Sequence, residues 1–350
     1  DCDIVNLRVA RHADAACLLV TDIDRGGAFA HLYGTWALLP ETDRVRIKGF
    51  VLNKFRGDPA LLEPGPQRLQ DLTGVLTVAV LPMWWQHGLP EEDGVMHARP
   101  EVQGVVARTI AVVATPRISN LDEFQPLNQL PGVRLKWARG PADLAGADWV
   151  ILPGSKHTSS DLACLRAQGL DRAIAAHAAQ GGAVLGICGG LQMLGEALID
   201  PHGIDGNAPG LGLLPLVTVF APAKTVQRTQ ARFGSLAGPW AALAGVSVAG
   251  YEIHHGQTAQ HPAMAAAGDL ARVALTGPQG EPLGWQNATG NVLGVYLHGL
   301  FEDAAVLQAL FGASVPTLDG VFDGLADFVE RHFAPGALEA LVAESGSTGA

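Results

Sequence analysis

The residue with the clearest chemical potential is Cys188, in the run Gly-Ile-Cys-Gly-Gly-Leu-Gln at residues 186–192. A buried strand followed by a sharp turn and an apolar helix has the arrangement of a nucleophile elbow, with Cys in place of Ser. Backbone N–H groups at the start of a helix favour the thiolate, which is the reactive form. We predict that Cys188 attacks a carbonyl carbon. The alternative is a buried structural cysteine in a glycine-rich turn.

A nucleophile of this kind needs hydrogen-bond donors for the oxyanion that it creates. The backbone N–H of Gly189 is one predicted donor, and the turn Leu-Pro-Gly-Ser offers Gly154 and Ser155 as further members of the oxyanion hole. Gln192 lies one helical turn after Cys188 and is a candidate for binding the substrate. A helix-surface glutamine without a role is the alternative.

The reaction also needs a group that takes and returns protons. His298 follows an apolar run at residues 294–297 and is the predicted general base and acid. His254 and His255 are the competing candidates.

These residues depend on elements that alternate between apolar strands and helix-like stretches. Such alternation indicates an α/β fold with mostly parallel sheets, whose ligand sites lie at the carboxyl ends of strands. We expect domains at 1–95 and 109–335, a linker at 96–108 and a tail at 336–350. We predict strands at 16–20, 49–53, 77–81, 109–113, 133–137, 149–152, 183–187, 246–252 and 292–297.

Composition excludes several classes of function. The net charge of −11 over 350 residues argues against nucleic acid as a partner, and no apolar run is long enough to cross a membrane. The four cysteines are scattered without a CxxC pair, which argues against a zinc site or a disulfide framework and indicates a cytoplasmic protein. They are Cys2, Cys17, Cys164 and Cys188.

Several motifs occur in an order that is typical of one family. They are Asp-Ile-Asp-Arg-Gly-Gly (22–27), Asn-Lys-Phe-Arg-Gly-Asp (53–58), Leu-Pro-Glu-Glu-Asp (89–93), Pro-Arg-Ile-Ser-Asn (116–120), Leu-Pro-Gly-Ser-Lys (152–156), Gly-Ile-Cys-Gly-Gly (186–190), Gly-Tyr-Glu-Ile-His (250–254) and Tyr-Leu-His-Gly (296–299). Together they resemble class I, triad-type glutamine amidotransferases and, more narrowly, the cobyric acid synthase family.

The resemblance implies ATP-dependent amidation of the b, d, e and g carboxylates of adenosyl-cobyrinic acid a,c-diamide, with Mg²⁺ and L-glutamine. Cys188 would release ammonia from glutamine through a glutamyl thioester, and His298 would shuttle the protons. The first domain would resemble dethiobiotin synthetase, and the second would be a flavodoxin-like amidotransferase domain.

The sequence departs from the pattern at two places. Many triad amidotransferases carry His-x-Glu, whereas His298 is followed by Gly299 and Leu300, so Glu302 is the nearest candidate for the orienting carboxylate. The sequence also has no Gly-x-x-x-x-Gly-Lys-Ser/Thr phosphate loop. We expect the chain to lack the first part of the synthetase domain and to be limited, alone, to glutaminase activity.

Six residues of the first domain are candidates for binding the nucleotide, the acceptor or Mg²⁺. Asp22 and Asp24 end a strand, where carboxylates hold Mg²⁺ between phosphates; a solvated turn with local pairing to Arg25 is the alternative. Asn53 is placed like the nucleobase-reading Asn of related folds, or lies in a plain turn. Arg25, Lys54 and Arg56 would meet phosphates or acceptor carboxylates, or form surface salt bridges.

Other functions stay open at this point. One alternative is cobyrinic acid a,c-diamide synthase, an enzyme of the same architecture. Another alternative is the stand-alone amidotransferase subunit that acts on peptidoglycan precursors. From a different class, a scaffolding homologue or an inactive fragment is the alternative. The presence of both Cys188 and His298 favours an enzyme.

Overall fold

The computed structural model describes residues 6–85, 88–89, 106–316 and 318–345. Its contacts divide the chain into two compact units, Asp1–Leu89 with Leu318–Ala350 and Pro90–Thr317. Most of the predicted linker, the motif residues 90–93 and Cys2 lie outside the described residues. Within those residues, no helix combines the length and the apolar character needed to span a membrane.

The strands and helices are numbered along the chain. The strands are β1 (Cys17–Asp22), β2 (Ile47–Phe55), β3 (Thr77–Pro82), β4 (Arg108–Val113), β5 (Val133–Ala138), β6 (Trp149–Leu152), β7 (Ala183–Ile187), β8 (Ala197–Ile199), β9 (Ala208–Pro209), β10 (Leu216–Phe233), β11 (Ser247–Gln260), β12 (Arg272–Thr276), β13 (Pro282–Gln286) and β14 (Val292–Val295). The helices are α1 (Leu7–Ala13), α2 (Ala28–Leu38), α3 (Glu41–Arg44), α4 (Gly65–Thr73), α5 (Gln125–Gln129), α6 (Thr158–Ala167), α7 (Leu170–Ala179), α8 (Gly189–Leu194), α9 (Pro262–Ala266), α10 (Ala304–Phe311), α11 (Leu318–His332) and α12 (Ala337–Ser345).

The first unit contains a parallel sheet in the order β1-β2-β3. Phe50, Val51 and Leu52 in the central strand β2 are buried, as expected for a strand covered on both faces. In the register of β1 and β2, Asp22 pairs with Asn53, which brings the polar ends of the two strands together.

The C-terminal helices belong to the first unit, whereas the sequence predicts the second domain to continue to 335. The ring of Phe328 in α11 lies 4.9 Å from that of Trp84. The backbone N–H of Ala334 donates a hydrogen bond to the carbonyl of Val78 in β3 at 2.7 Å. An amphipathic period shows that a helix covers a sheet, but it does not show which sheet.

The second unit contains a sheet in the order β5-β4-β6-β7-β14-β13-β12-β10-β8-β9, with β11 paired to β10. The strands β4, β6, β7 and β14 run parallel, and β6, β7 and β14 are buried along their whole length. Since carboxyl ends of parallel strands share one edge, the segments that follow these strands meet there. This arrangement confirms the predicted α/β class.

Candidate active site

Cys188 occupies a strained turn between β7 and α8. Its φ is 51° and its ψ is −103°, a backbone conformation that residues other than glycine rarely adopt. A Cβ added to Gly190 would lie 2.0 Å from the carbonyl oxygen of Leu152, so the turn abuts the end of β6 too closely for any side chain there. Cys188 as a whole residue is 5% exposed, and its Sγ lies 3.5 Å from the carbonyl oxygen of Ile253. The sharp turn predicted from the glycines is therefore present.

His298 lies directly beyond β14, the strand next to β7. Its backbone N–H donates to the carbonyl of Tyr251 at 2.9 Å, and the Tyr251 ring stacks on the imidazole with a centroid distance of 5.3 Å. His298 lines the same cavity as Cys188, whose sulfur influences the charge of the imidazole, and His298 is 1% exposed. The structure therefore brings the two predicted catalytic residues, Cys188 and His298, together in one buried site.

The charge of His298 is set by two neighbours. Burial by itself lowers the pKa of the imidazole, because a charged ring loses its hydration. The hydrogen bonds and charges of Cys188 and Glu123 outweigh burial and raise the pKa of His298 to about 10. The site therefore favours an imidazolium beside the sulfur.

Glu123 is the residue that sequence reasoning misses. Its carboxylate oxygens lie 3.3 and 3.4 Å from Nδ1 of His298, so the carboxylate at this nitrogen is Glu123 and not Glu302. Glu123 belongs to a 3₁₀ helix, Leu121–Phe124, after β4, and it is 175 residues from His298 in sequence. The sequence feature that could have indicated Glu123 is its position shortly after a parallel strand, because the other site residues also lie at that edge of the sheet.

The predicted oxyanion-hole residues surround the same turn. A Cβ on Gly189 would lie 2.8 Å from the backbone nitrogen of Ser155, so the start of α8 closely approaches the segment after β6. A Cβ on Gly154 would lie 2.4 Å from Oγ of Ser119 and 2.7 Å from Cε1 of His298. Glycine at position 154 therefore allows the imidazole to approach the end of β6.

Gln192 is buried rather than on the helix surface. It is 3% exposed, and its Oε1 accepts a hydrogen bond from Oγ1 of Thr158 at 3.0 Å. Its Nε2 lies 3.5 Å from the hydroxyl of Tyr296. Its side-chain amide is thus held in a defined orientation next to the turn.

A cavity of about 450 Å³ opens over these residues. Its wall includes Cys188, Gln192 and His298, together with Lys156, Lys224 and Asp205. The cavity therefore presents a nucleophile, a proton carrier and side chains of both charge signs to one small molecule.

The competing histidines line the cavity but are held by other groups. Nδ1 of His254 lies 2.8 Å from the carbonyl of Gly256, and its Nε2 lies 3.3 Å from Glu252. Both ring nitrogens of His254 thus already have partners within the protein. Nδ1 of His255 lies 3.0 Å from the carbonyl of Ala221. These contacts favour His298 as the proton carrier.

Glu252 forms a buried acidic centre behind the cavity. Burial raises the pKa of this carboxyl, but hydrogen bonds with His254, Thr229 and Gln227 outweigh it and lower the pKa to about 2. Oγ1 of Thr229 lies 2.6 Å from Oε1 of Glu252. Glu252 is therefore ionised, and His254, Thr229 and Gln227 are its hydrogen-bond partners.

The candidates of the first unit form exposed ion pairs. Nζ of Lys54 lies 3.1 Å from Oδ2 of Asp22, whose pKa is lowered mainly by this hydrogen bond. Nε of Arg25 lies 3.7 Å from the same oxygen, and Arg56 pairs with Asp24. This is the local pairing that the sequence leaves open as an alternative.

Two further observations bear on the nucleotide and metal predictions. Asn53 lies within β2 and not in a turn, and its Oδ1 accepts a hydrogen bond from the backbone N–H of the next residue, Lys54, at 2.9 Å. Over residues 6–85, 88–89, 106–316 and 318–345, no three His, Cys, Asp or Glu residues are grouped so that they could hold a metal ion.

The comparisons with known proteins first define a class. Residues 109–306 match the family model of the CobB/CobQ-like glutamine amidotransferase domain. Among solved structures, PurLQS from Thermotoga maritima aligns with a TM-score of 0.44 and 18% identity, over 63% of this chain and 99% of that one. The match to the family model, which covers more than half of the chain, shows that residues 109–306 form a glutamine amidotransferase domain of this family.

Curated relatives then define the particular family. A cobyric acid synthase from Polaromonas naphthalenivorans is 73% identical over 345 residues, which are 98% of this chain and 70% of that protein. A cobyric acid synthase from Variovorax paradoxus is 73% identical over 341 residues, 97% of this chain and 70% of that protein. The chain belongs to the cobyric acid synthase family.

Proposed function

We propose that this chain hydrolyses L-glutamine at Cys188 and supplies the ammonia for amidation of the b, d, e and g carboxylates of adenosyl-cobyrinic acid a,c-diamide, giving cobyric acid. The observation that carries the proposal is the placement of Cys188 and His298 at the ends of the neighbouring parallel strands β7 and β14, where both line one cavity. Membership of the cobyric acid synthase family supports the acceptor.

The first half of the reaction forms the thioester. The sulfur of Cys188 attacks the amide carbon of the glutamine side chain, and the C=O electron pair moves onto oxygen. The N–H groups of Ser155 and Gly189 stabilise this oxyanion. The C–N bond then breaks as His298 donates its proton to the leaving nitrogen, which departs as ammonia.

The second half releases glutamate. His298, now neutral, accepts a proton from water as the water oxygen attacks the thioester carbon. The C–S bond breaks and Cys188 leaves as a thiolate, so the imidazolium–thiolate pair is restored. Lys156, Lys224 and Asp205 in the cavity wall complement the charged main-chain groups of the amino acid.

ATP, when bound, would activate an acceptor carboxylate as an acyl phosphate that ammonia attacks. In the structure, Asp22 is paired with Lys54, and Asp24 is paired with Arg56. In our proposal Arg25, Asn53, Lys54 and Arg56 contact phosphates or acceptor carboxylates, and Mg²⁺ at Asp22 and Asp24 would displace the paired cations.

The test is a stepwise amidation assay on the complete gene product. The protein is incubated with ATP, Mg²⁺, glutamine and the diamide, and the corrinoid is followed by mass spectrometry. We expect four successive replacements of OH by NH₂, which Cys188→Ala abolishes with glutamine and retains with added ammonia. Glutamate release that depends on Cys188, alongside an unchanged corrinoid, would overturn the acceptor.

A further inference from the structure

We propose that Glu123 is the positioning residue that orients His298 for glutamine hydrolysis, in place of the carboxylate that many related enzymes carry two residues after the histidine. The inference rests on the proposed function and names a residue of the same site. It follows from the geometry at Nδ1 of His298, where both carboxylate oxygens lie within 3.4 Å.

The contact determines which ring nitrogen carries a proton in the neutral imidazole. Since a carboxylate accepts hydrogen bonds, Nδ1 keeps its proton and Nε2 is left with the lone pair. Nε2 is then the atom that exchanges a proton with the sulfur of Cys188. An imidazole with the opposite tautomer would present an N–H to a thiol and could not accept its proton.

Glu123 is itself held in place. It is 1% exposed, and its Oε2 accepts a hydrogen bond from the backbone N–H of Gly299 at 3.3 Å. The next residue, Phe124, packs its ring 5.9 Å from that of Trp137 and 6.2 Å from that of Phe301. A buried carboxylate is costly unless it is paired, so the fixed carboxylate also stabilises the imidazolium.

The packing after His298 explains why the carboxylate comes from another segment. Gly299 has a φ of 84°, and the chain turns so that Leu300 is completely buried in the core. A glutamate at position 300 would lose hydration there without a partner at hand. The 3₁₀ helix after β4 supplies the charge instead, at the same edge of the sheet.

The test compares Glu123→Gln with Asp122→Asn. Asp122 is the adjacent residue of the same 3₁₀ helix and is exposed, so the control removes an equal charge next to the site. For Glu123→Gln we expect kcat for glutamine hydrolysis to fall by about 10²–10⁴-fold with little change in KM, because an orienting carboxylate acts mainly in the transition state. Asp122→Asn should retain wild-type kcat, and Glu123→Asp should recover part of the loss.

A second readout separates positioning from general damage and does not need glutamine turnover. In the wild type, the imidazolium of His298 in the same site should make alkylation of Cys188 by iodoacetamide fast at pH 6, where an ordinary thiol reacts slowly. Without the Glu123 charge the neutral imidazole–thiol pair is favoured. The rate at pH 6 should then fall at least tenfold and rise with pH, as for an ordinary thiol.

Unchanged kcat in Glu123→Gln, or lost activity with a wild-type alkylation profile, would overturn the proposal. If the wild type does not hydrolyse glutamine but the alkylation profile still changes in Glu123→Gln, the positioning role stands and the proposed function fails. The thermal unfolding midpoint of each variant identifies a protein that has not folded, and Glu123→Asp then serves as the second variant.

Discussion

The second unit and the first both place polar side chains at the carboxyl ends of parallel strands, but with different surroundings. Around Cys188, the residues His298 and Glu123 are each 1% exposed and contact one another directly. In the first unit, the side chain of Arg25 is 84% exposed and that of Lys54 is 48% exposed. In both units the polar residues follow parallel strands. The residues of the second unit are shielded from water, whereas those of the first unit are exposed to it.

The difference shows what makes a strand end chemically defined. Buried charges interact strongly and hold a single geometry, whereas exposed ion pairs are screened by water and contribute little. A motif at a strand end is therefore a weak predictor until neighbouring segments cover it. A substitution can alter either the buried site of the second unit or the exposed ion pairs of the first.

The largest expected effect is the loss of the proton carrier. His298→Ala should lower kcat for glutamine hydrolysis by about 10³-fold or more, because neither thiolate formation nor proton transfer to the leaving group is assisted. His255→Ala, at a histidine of the same cavity, should change kcat less than tenfold. Glutamate release measured by a coupled assay distinguishes them, and comparable losses in the two variants would contradict the assignment.

A smaller effect is expected from crowding the imidazole. Gly154→Ala places a Cβ 2.7 Å from Cε1 of His298, which must move. We expect kcat to fall about 10²-fold, since displacement by about 1 Å at a reacting group has that effect. Gly140→Ala is the control, because nothing lies within 4 Å of its added Cβ. Equal activity of the two variants would show that the close packing at Gly154 is not needed.

The acidic centre behind the cavity predicts a pH dependence of stability. Glu252 has a folded-state pKa of about 2, below its ordinary value of 4.5, so its ionised form stabilises the folded state. The contribution should be fully present above pH 4.5 and be lost as the pH falls towards 2. The free energy of unfolding of the wild type minus that of Glu252→Gln, measured by urea denaturation, should therefore shrink over this window. A difference independent of pH would contradict the lowered pKa of Glu252.

The smallest effect is expected on the exposed side of the comparison. Asp22→Asn removes one partner of a surface ion pair, so the free energy of unfolding should change by less than about 1 kcal/mol. Glutamine hydrolysis should be unchanged, while ATP-dependent amidation should fall if Asp22 meets the nucleotide or acceptor. Urea denaturation and the two activity assays check this, and a loss of glutaminase activity would show that the two sites are not separable.

Much of the fold could be predicted from the sequence because its signals are local. The continuous apolar runs at 109–113, 149–152 and 183–187 became β4, β6 and β7 with nearly the predicted bounds. The glycines around Cys188 predicted a sharp turn, and the structure has it. His298 is predicted from its position after an apolar strand and from the family resemblance, and the structure places it in the same cavity wall as Cys188.

The remaining features depend on contacts between distant segments. Glu123 lies 175 residues from His298, and no pattern around either residue links them. Gln192 has no local feature that distinguishes a buried glutamine from an exposed one, and its partner Thr158 comes from another helix. The helix α11 is amphipathic, but its period does not identify the unit that it covers.

The central claim is that Cys188 is the nucleophile for glutamine. Its most direct test is labelling with a chloroketone analogue of glutamine, which alkylates a thiolate positioned in the substrate site, followed by peptide mapping. The account predicts modification at Cys188, prevented by excess glutamine, with Cys17 and Cys164 unmodified. Labelling spread over the other cysteines, or labelling of Cys188 that glutamine does not prevent, would contradict it.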